Sequence, residues 1–169
     1  MWMLGASVQS ADLAASLGLP FAFGHHFGRG DAATVFEHYR RAFRPSIFLR
    51  KPYTMVTALV VCAPTDIEAD MIARSAELMF MRLSHGEPDK LPSPEETAIR
   101  RWTSGELDFI QQLRHGQAIG SPETIRSNLT QLLEVTKADE LMMAIQMYRP
   151  EDSVRSIELV SEIFKSPLA

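Results

Sequence analysis

The feature that most constrains this chain is a rhythm: four times, a short apolar run that reads as a buried strand is followed by an amphipathic stretch that reads as a helix. Strands and helices alternating at this density build a parallel sheet through right-handed crossovers, because antiparallel sheets are joined by short turns instead. The expected fold class is therefore α/β, and four βα units with parallel strands amount to half of a (β/α)8 barrel. The whole of 1–169 reads as one domain, long enough at 169 residues and apolar enough at 46% to hold a real core.

The first unit pairs residues 1–4 with a helix near 10–17, in which Leu13, Ala14 and Leu17 recur at helical spacing and Gly18 supplies the stop. The second has a brief strand over 19–23 and a loop of glycines and histidines over 24–30. Asp31 then caps a helix to about residue 43, burying Val35, Phe36, Tyr39 and Phe43. The third is the clearest, since 53–62 is β-branched and almost continuously apolar, as a strand covered on both faces must be. Thr65 and Glu68 form a capping box for its helix, whose stripe is Ile72, Ala76, Met79 and Leu83, with Gly86 just beyond the end.

Pro88, Pro92 and Pro94 then break the rhythm, and 84–105 is expected to be an exposed, mobile excursion. A short helix over 105–114 follows. Gly120-Ser121-Pro122-Glu123 offers a cap, a proline at the first helical position and an acid in the first turn, ahead of a stripe of Ile125, Leu129, Leu132 and Leu133. The fourth unit is a strand over 140–147 and a helix over 153–164, with Val154, Ile157, Val160 and Phe164 on its apolar face. Met71, Met79, Met142 and Met143 read as core filler.

Charge and cysteine usage exclude several classes. With 17 Lys and Arg against 21 Asp and Glu, the net charge of −4 argues against an electrostatic nucleic-acid binder. Arg40, Arg41 and Arg44 lie on one helix and read as a solvated face. Cys62 stands alone in an apolar strand, which predicts a buried, inert thiol and no intramolecular disulfide. No secretory signal and no window near the roughly 18 apolar residues of a membrane span are visible, so the expectation is cytoplasmic. No carboxylate cluster stands at ligand spacing to His25, His26 or His38, and no metal site is expected.

The turn after the first strand, Gly5-Ala6-Ser7, admits two readings from its residues: a tight strand-to-helix turn that needs small side chains, or a phosphate cradle at a helix start. His25 and His26 sit at the C-terminal end of the next strand, where such barrels carry their sites. There His26 is either a loop residue held by backbone hydrogen bonds or a candidate for proton transfer.

Several stretches resemble, in order, the C-terminal half of the bacterial-luciferase-like, flavin-dependent monooxygenases. They are Trp2-Met3-Leu4-Gly5-Ala6-Ser7, Ala14-Ala15 with Leu17-Gly18-Leu19-Pro20, Phe21-Ala22-Phe23 with His26-Phe27, Gly120-Ser121-Pro122-Glu123-Thr124, and Ala138-Asp139-Glu140-Leu141-Met142. The resemblance implies strands five to eight of a TIM barrel that binds FMN and uses reduced flavin and dioxygen on an organic substrate. It assigns the FMN phosphate to Gly5, Ala6 and Ser7; Ala6 stands where serine is commoner and removes one hydroxyl. The N-terminal half that would carry much of the flavin pocket is missing from such a match. The expected partners are therefore a second copy (a homodimer) or a complementary half-barrel covering the open strand edges, with a flavin reductase supplying electrons. The alternative is a non-catalytic truncated or split remnant that folds and self-associates, an expectation the start of the chain directly on a strand favours.

Overall fold

A computed structural model describes residues 1–27 and 30–165. The elements in chain order are β1 (Met3–Gly5), α1 (Val8–Leu17), β2 (Phe21–Phe23), a single 3-10 turn (His25–Phe27), α2 (Ala32–Ala42), β3 (Thr54–Cys62) and α3 (Asp66–Ser84). Then come α4 (Pro94–Ala98), α5 (Ser104–Arg114), β4 (Gln117–Gly120), α6 (Pro122–Thr136), β5 (Glu140–Ala144) and α7 (Pro150–Phe164). The order β1-β2-β3-β4 is parallel at every pairing, and β5 also pairs with β3. The expected α/β class with parallel strands is observed. β4 is a fifth strand that the rhythm did not announce, since four residues leading directly into a helix carry no alternation to read.

Contacts divide the chain into two compact bodies: Met1–Ala58 with Gln131–Ala144, and Leu59–Thr130 with the chain from Ile145 onward. In the first, β1, β2 and the first half of β3 lie in register, with Gly5 opposite Phe23 and Phe23 opposite Val56. Its core is aromatic. Phe21, Phe23, Phe36 and Tyr39 are buried against Ala11, Ala14 and Ala15 of α1, and each fully buried ring stabilises by roughly 1.5–3 kcal/mol. Phe21 meets Phe36 edge-on at 6.1 Å, and the Tyr39 hydroxyl donates to the Leu19 carbonyl at 2.8 Å.

Alanine, not leucine, faces this core from α1. Leu13 and Leu17 are half exposed, contrary to the stripe expected from spacing, because close packing of α1 on α2 admits only the small side chains of Ala11, Ala14 and Ala15. Gly18 ends α1 in the left-handed conformation at φ 61°, as its position predicts. Arg40 is no solvated arginine: its guanidinium lies 5.5 Å from the Phe36 ring centre and donates to Thr54 Oγ1 and to the Thr136 and Lys137 carbonyls.

In the second body, Val61, Ala63, Ala69, Ala73 and Met147 form one cluster and Leu78, Met81 and Ile110 another. The buried face of α3 is rotated from the predicted stripe, and Leu83 is exposed. Glu77, 1% exposed, lies on that buried face, where Arg114 Nε donates to it at 2.5 Å. Met71 and Met142 are likewise exposed, not core filler, and Val154 and Ile157 leave the buried face of α7 to Ser156, Val160 and Ile163. Thr65 caps α3 through its Oγ1, but Glu68 reaches the Thr65 hydroxyl at 3.2 Å in place of the backbone amide a full box would use. The proline-rich stretch is not wholly irregular. It contains α4, which Arg82 holds to α3 through Glu96 at 2.6 Å.

Candidate functional site

The site lies in the first body, at the C-terminal ends of its parallel strands. Gly5, Phe23 and Val56 stand abreast; Ser7 and His26 follow the ends of β1 and β2, and Thr57, the residue after Val56, is buried within β3. The Gly24 amide donates to the Gly5 carbonyl at 2.9 Å and ties the two turns together. Of the loop expected over 24–30, residues 28 and 29 lie outside the described residues.

Gly5-Ala6-Ser7 runs straight into α1 and Ser7 is its N-cap. Ser7 Oγ accepts from the Ser10 amide at 3.3 Å, the Ser7 amide donates to Ser10 Oγ at 3.3 Å, and the two hydroxyls are themselves 3.3 Å apart. Two serine hydroxyls thus converge on the first turn of a ten-residue helix that has no acidic residue there, where the opening amides of Val8 and Gln9 have no intrahelical acceptor. Gly5 makes room for this. A Cβ at residue 5 would lie 2.1 Å from Ser10 Oγ, far inside contact distance. Ala6 packs its methyl against the aromatic core, so at the turn it offers only backbone. Small residues are needed for steric reasons, and Ser10 Oγ donates to the Ser7 carbonyl at 2.7 Å, so its one proton is used within the turn. Ser10 was missed from sequence, though its signal, serine three residues after a serine cap, is the capping-box spacing.

His26 Nδ1 lies 2.7 Å from Thr57 Oγ1, and Thr57 Oγ1 donates to the Phe23 carbonyl at 3.2 Å. A hydroxyl has one proton; with it committed to Phe23, Thr57 can only accept from the imidazole. In that arrangement the imidazole donates through Nδ1, and a side chain on β3 is one of its holds. Burial holds the His26 pKa below its ordinary value, and the charge of neighbouring His25 adds to this. Both effects keep the ring neutral, the form able to take up a proton.

Cys62, in the second body, is 1% exposed, and burial pushes its thiol up to about 11. That is the inert thiol expected. Among the described residues no group of three or more His, Cys, Asp or Glu side chains is placed to hold a metal ion, and no helix is long and apolar enough to cross a membrane.

No family model matches the chain. Individual proteins do. A luciferase-like monooxygenase of Escherichia coli is 34% identical over 163 residues, 96% of this chain and 49% of that protein. The crystal structure of apo-MsnO8 superposes with a TM-score of 0.80 at 30% identity, over 98% of this chain and 51% of the other. The oxygenating constituent of 3,6-diketocamphane monooxygenase from Pseudomonas putida, solved in complex with FMN, superposes with a TM-score of 0.59 over 95% of this chain and 46% of the other; at 22% identity it speaks for the fold alone. The chain spans about half the length of the proteins it matches, which is consistent with half of a (β/α)8 barrel.

Proposed function

The chain is kin to the luciferase-like monooxygenases, about half of whose length it spans, and we propose that it contributes the phosphate end of an FMN site to an enzyme that oxidises an organic substrate with reduced flavin and dioxygen. The observation that carries this reading is the Ser7 cap on the first turn of α1, its hydroxyl 3.3 Å from that of Ser10, over a glycine whose Cβ would clash with Ser10. Gly5 and Ala6 supply the close backbone, Ser7 the hydroxyl donor, and Val8 and Gln9 the helix amides for a phosphate, while the Ser10 hydroxyl donates to the Ser7 carbonyl and holds the turn in shape. Bound reduced flavin would supply the electrons with which dioxygen is activated. The His26 imidazole, just beyond the C-terminal end of β2, is the proposed proton-transfer group.

Such a site is completed by a second polypeptide half or a second copy. β1 is a terminal strand of the sheet, and Leu4 on it is 62% exposed; an open strand edge favours pairing with another chain. The enzyme would work in the cytoplasm with a reductase as its electron source.

A second reading is that the chain folds and binds flavin without turnover. Flavin fluorescence and oxygen uptake separate the two. Quenching of FMN together with reductase-dependent oxygen consumption supports the enzyme, quenching without consumption supports binding alone, and absence of quenching at micromolar flavin overturns both.

A further inference from the structure

Charge is unevenly spread along this chain. Although its net charge is −4, residues 38–65 hold Arg40, Arg41, Arg44, Arg50 and Lys51 and not one Asp or Glu. Arg40 is engaged inside the fold, on the Thr136 and Lys137 carbonyls. The other four are exposed, and every ion pair among the described residues lies elsewhere.

Between Arg44 and Arg50, in the connection from α2 to β3, the chain makes a loop that is closed from within. The Ser46 amide donates to the Leu49 carbonyl at 2.9 Å, and Ser46 Oγ accepts from the amides of Phe48 at 3.0 Å and Leu49 at 3.3 Å. The same hydroxyl donates to the Gly18 carbonyl at 2.8 Å and the Arg44 amide to the Ala15 carbonyl at 2.9 Å, which fastens the loop to the end of α1. With its amides satisfied internally, the loop holds its shape while Ile47, 94% exposed, and Phe48, 69% exposed, stand out at its tip. Burial of these two side chains contributes little to the fold, and adjacent apolar residues exposed between cations mark a surface that meets a partner.

Shape and charge decide which partner. A stable protein interface covers roughly 800 Å² on each side, more than a tip of two residues can offer. A bilayer accepts such a tip, because apolar side chains enter the boundary between headgroups and acyl chains while cations remain among anionic headgroups.

We propose that this loop docks the protein on an anionic membrane surface. Ile47 and Phe48 enter the lipid interface, and Arg44, Arg50 and Lys51 meet the headgroups.

The test is co-sedimentation of the full chain with phosphatidylcholine vesicles, with and without phosphatidylglycerol. The expected result is binding at least about tenfold stronger to the anionic vesicles, weakening as salt is raised, even though the chain's own net charge is negative. Ile47→Ser combined with Phe48→Ser reduces that binding at least about tenfold, and so does Arg50→Glu combined with Lys51→Glu. Circular dichroism stays unchanged in both, because all four side chains are exposed. Phe48→Trp reads insertion separately: above the baseline of Trp2 and Trp102, its emission shifts to the blue on anionic vesicles and is quenched by lipids brominated on the acyl chain. No binding, equal binding to the two vesicle types, undiminished binding in either folded double variant, or a Phe48→Trp signal untouched by brominated lipid overturns the proposal. Loop-dependent binding to soluble poly-glutamate with none to vesicles also overturns it and assigns the loop to an acidic protein. No flavin enters the assay, so its outcome is independent of the FMN titration.

Discussion

Gly5 and Ser10 fit together with no space between them: a single methyl on Gly5 would lie 2.1 Å from the Ser10 hydroxyl oxygen. Local structure and ligand chemistry meet at that contact, because the hydroxyl it positions also closes the capping box of α1. Gly5→Ala should therefore push Ser10 out of the turn. The added methyl would also lie 2.4 Å from Ser10 Cβ, an overlap that no rotamer relieves, so the expected loss is about 1 kcal/mol for the cap and about 1–3 kcal/mol more for overpacking, read as a lower urea midpoint with unchanged slope.

Thr57 Oγ1 lies 2.7 Å from His26 Nδ1. In nitrogen-15 NMR of the native protein, His26 should show a protonated Nδ1 and a bare Nε2. Thr57→Val removes the acceptor and should bring the Nε2-protonated tautomer into the majority, at a stability cost of about 1–3 kcal/mol for the buried polar groups left unmatched. A native spectrum dominated by protonated Nε2 contradicts the assignment.

The same histidine predicts a pH dependence. Its folded-state pKa is held below 6.5 by burial and then by His25, so below about pH 6.5 the unfolded chain binds a proton that the folded chain refuses. Stability should fall as pH drops through that value, and His26→Gln should flatten this part of the profile. Denaturation midpoints at about pH 7 and about pH 5 measure the slope, and a rise in stability on acidification across this window would carry the opposite sign and rule out a depressed His26 pKa as the controlling group.

Arg40 ties α2 to the end of α6 through the Thr136 and Lys137 carbonyls. Arg40→Met keeps the stem over Phe36 but leaves both carbonyls and Thr54 without their donor. The loss should be about 2–3 kcal/mol, measurable in urea.

Cys62 should resist iodoacetamide in the native protein at about pH 8 and react readily in urea, since its thiol is both buried and held near 11. Rapid native alkylation would mean that β3 opens.

The parts of the fold legible in sequence are those whose signal is local. β3 announced itself because a strand buried along all nine residues leaves only apolar and threonine side chains, and the Gly5-Ala6-Ser7 turn because a glycine and a serine cap stand at fixed offsets from a helix. The Asp31 cap and the Val35, Phe36 and Tyr39 face of α2 were readable for the same reason. What escaped depends on distant partners. Nothing near His26 foretells Thr57, 31 residues away, and nothing near Glu77 foretells its arginine partner 37 residues on. Apolar content alone misplaced Leu13, Leu17, Met71 and Met142, because which apolar side chains are covered depends on what packs against each helix, not on spacing within it.

The most direct test of the phosphate assignment is a flavin fluorescence titration of the native chain and of Ser7→Ala and Ser10→Ala with FMN and, in parallel, riboflavin, which lacks the phosphate. A hydroxyl donating to a charged group is worth about 1.5–3 kcal/mol, so native protein should prefer FMN to riboflavin by at least about tenfold; Ser7→Ala should lose FMN affinity with riboflavin affinity unchanged, and Ser10→Ala, whose hydroxyl donates to the Ser7 carbonyl, should lose less than Ser7→Ala. Equal native affinity for the two flavins, or equal weakening of both in Ser7→Ala, would contradict a phosphate site at Gly5, Ala6 and Ser7.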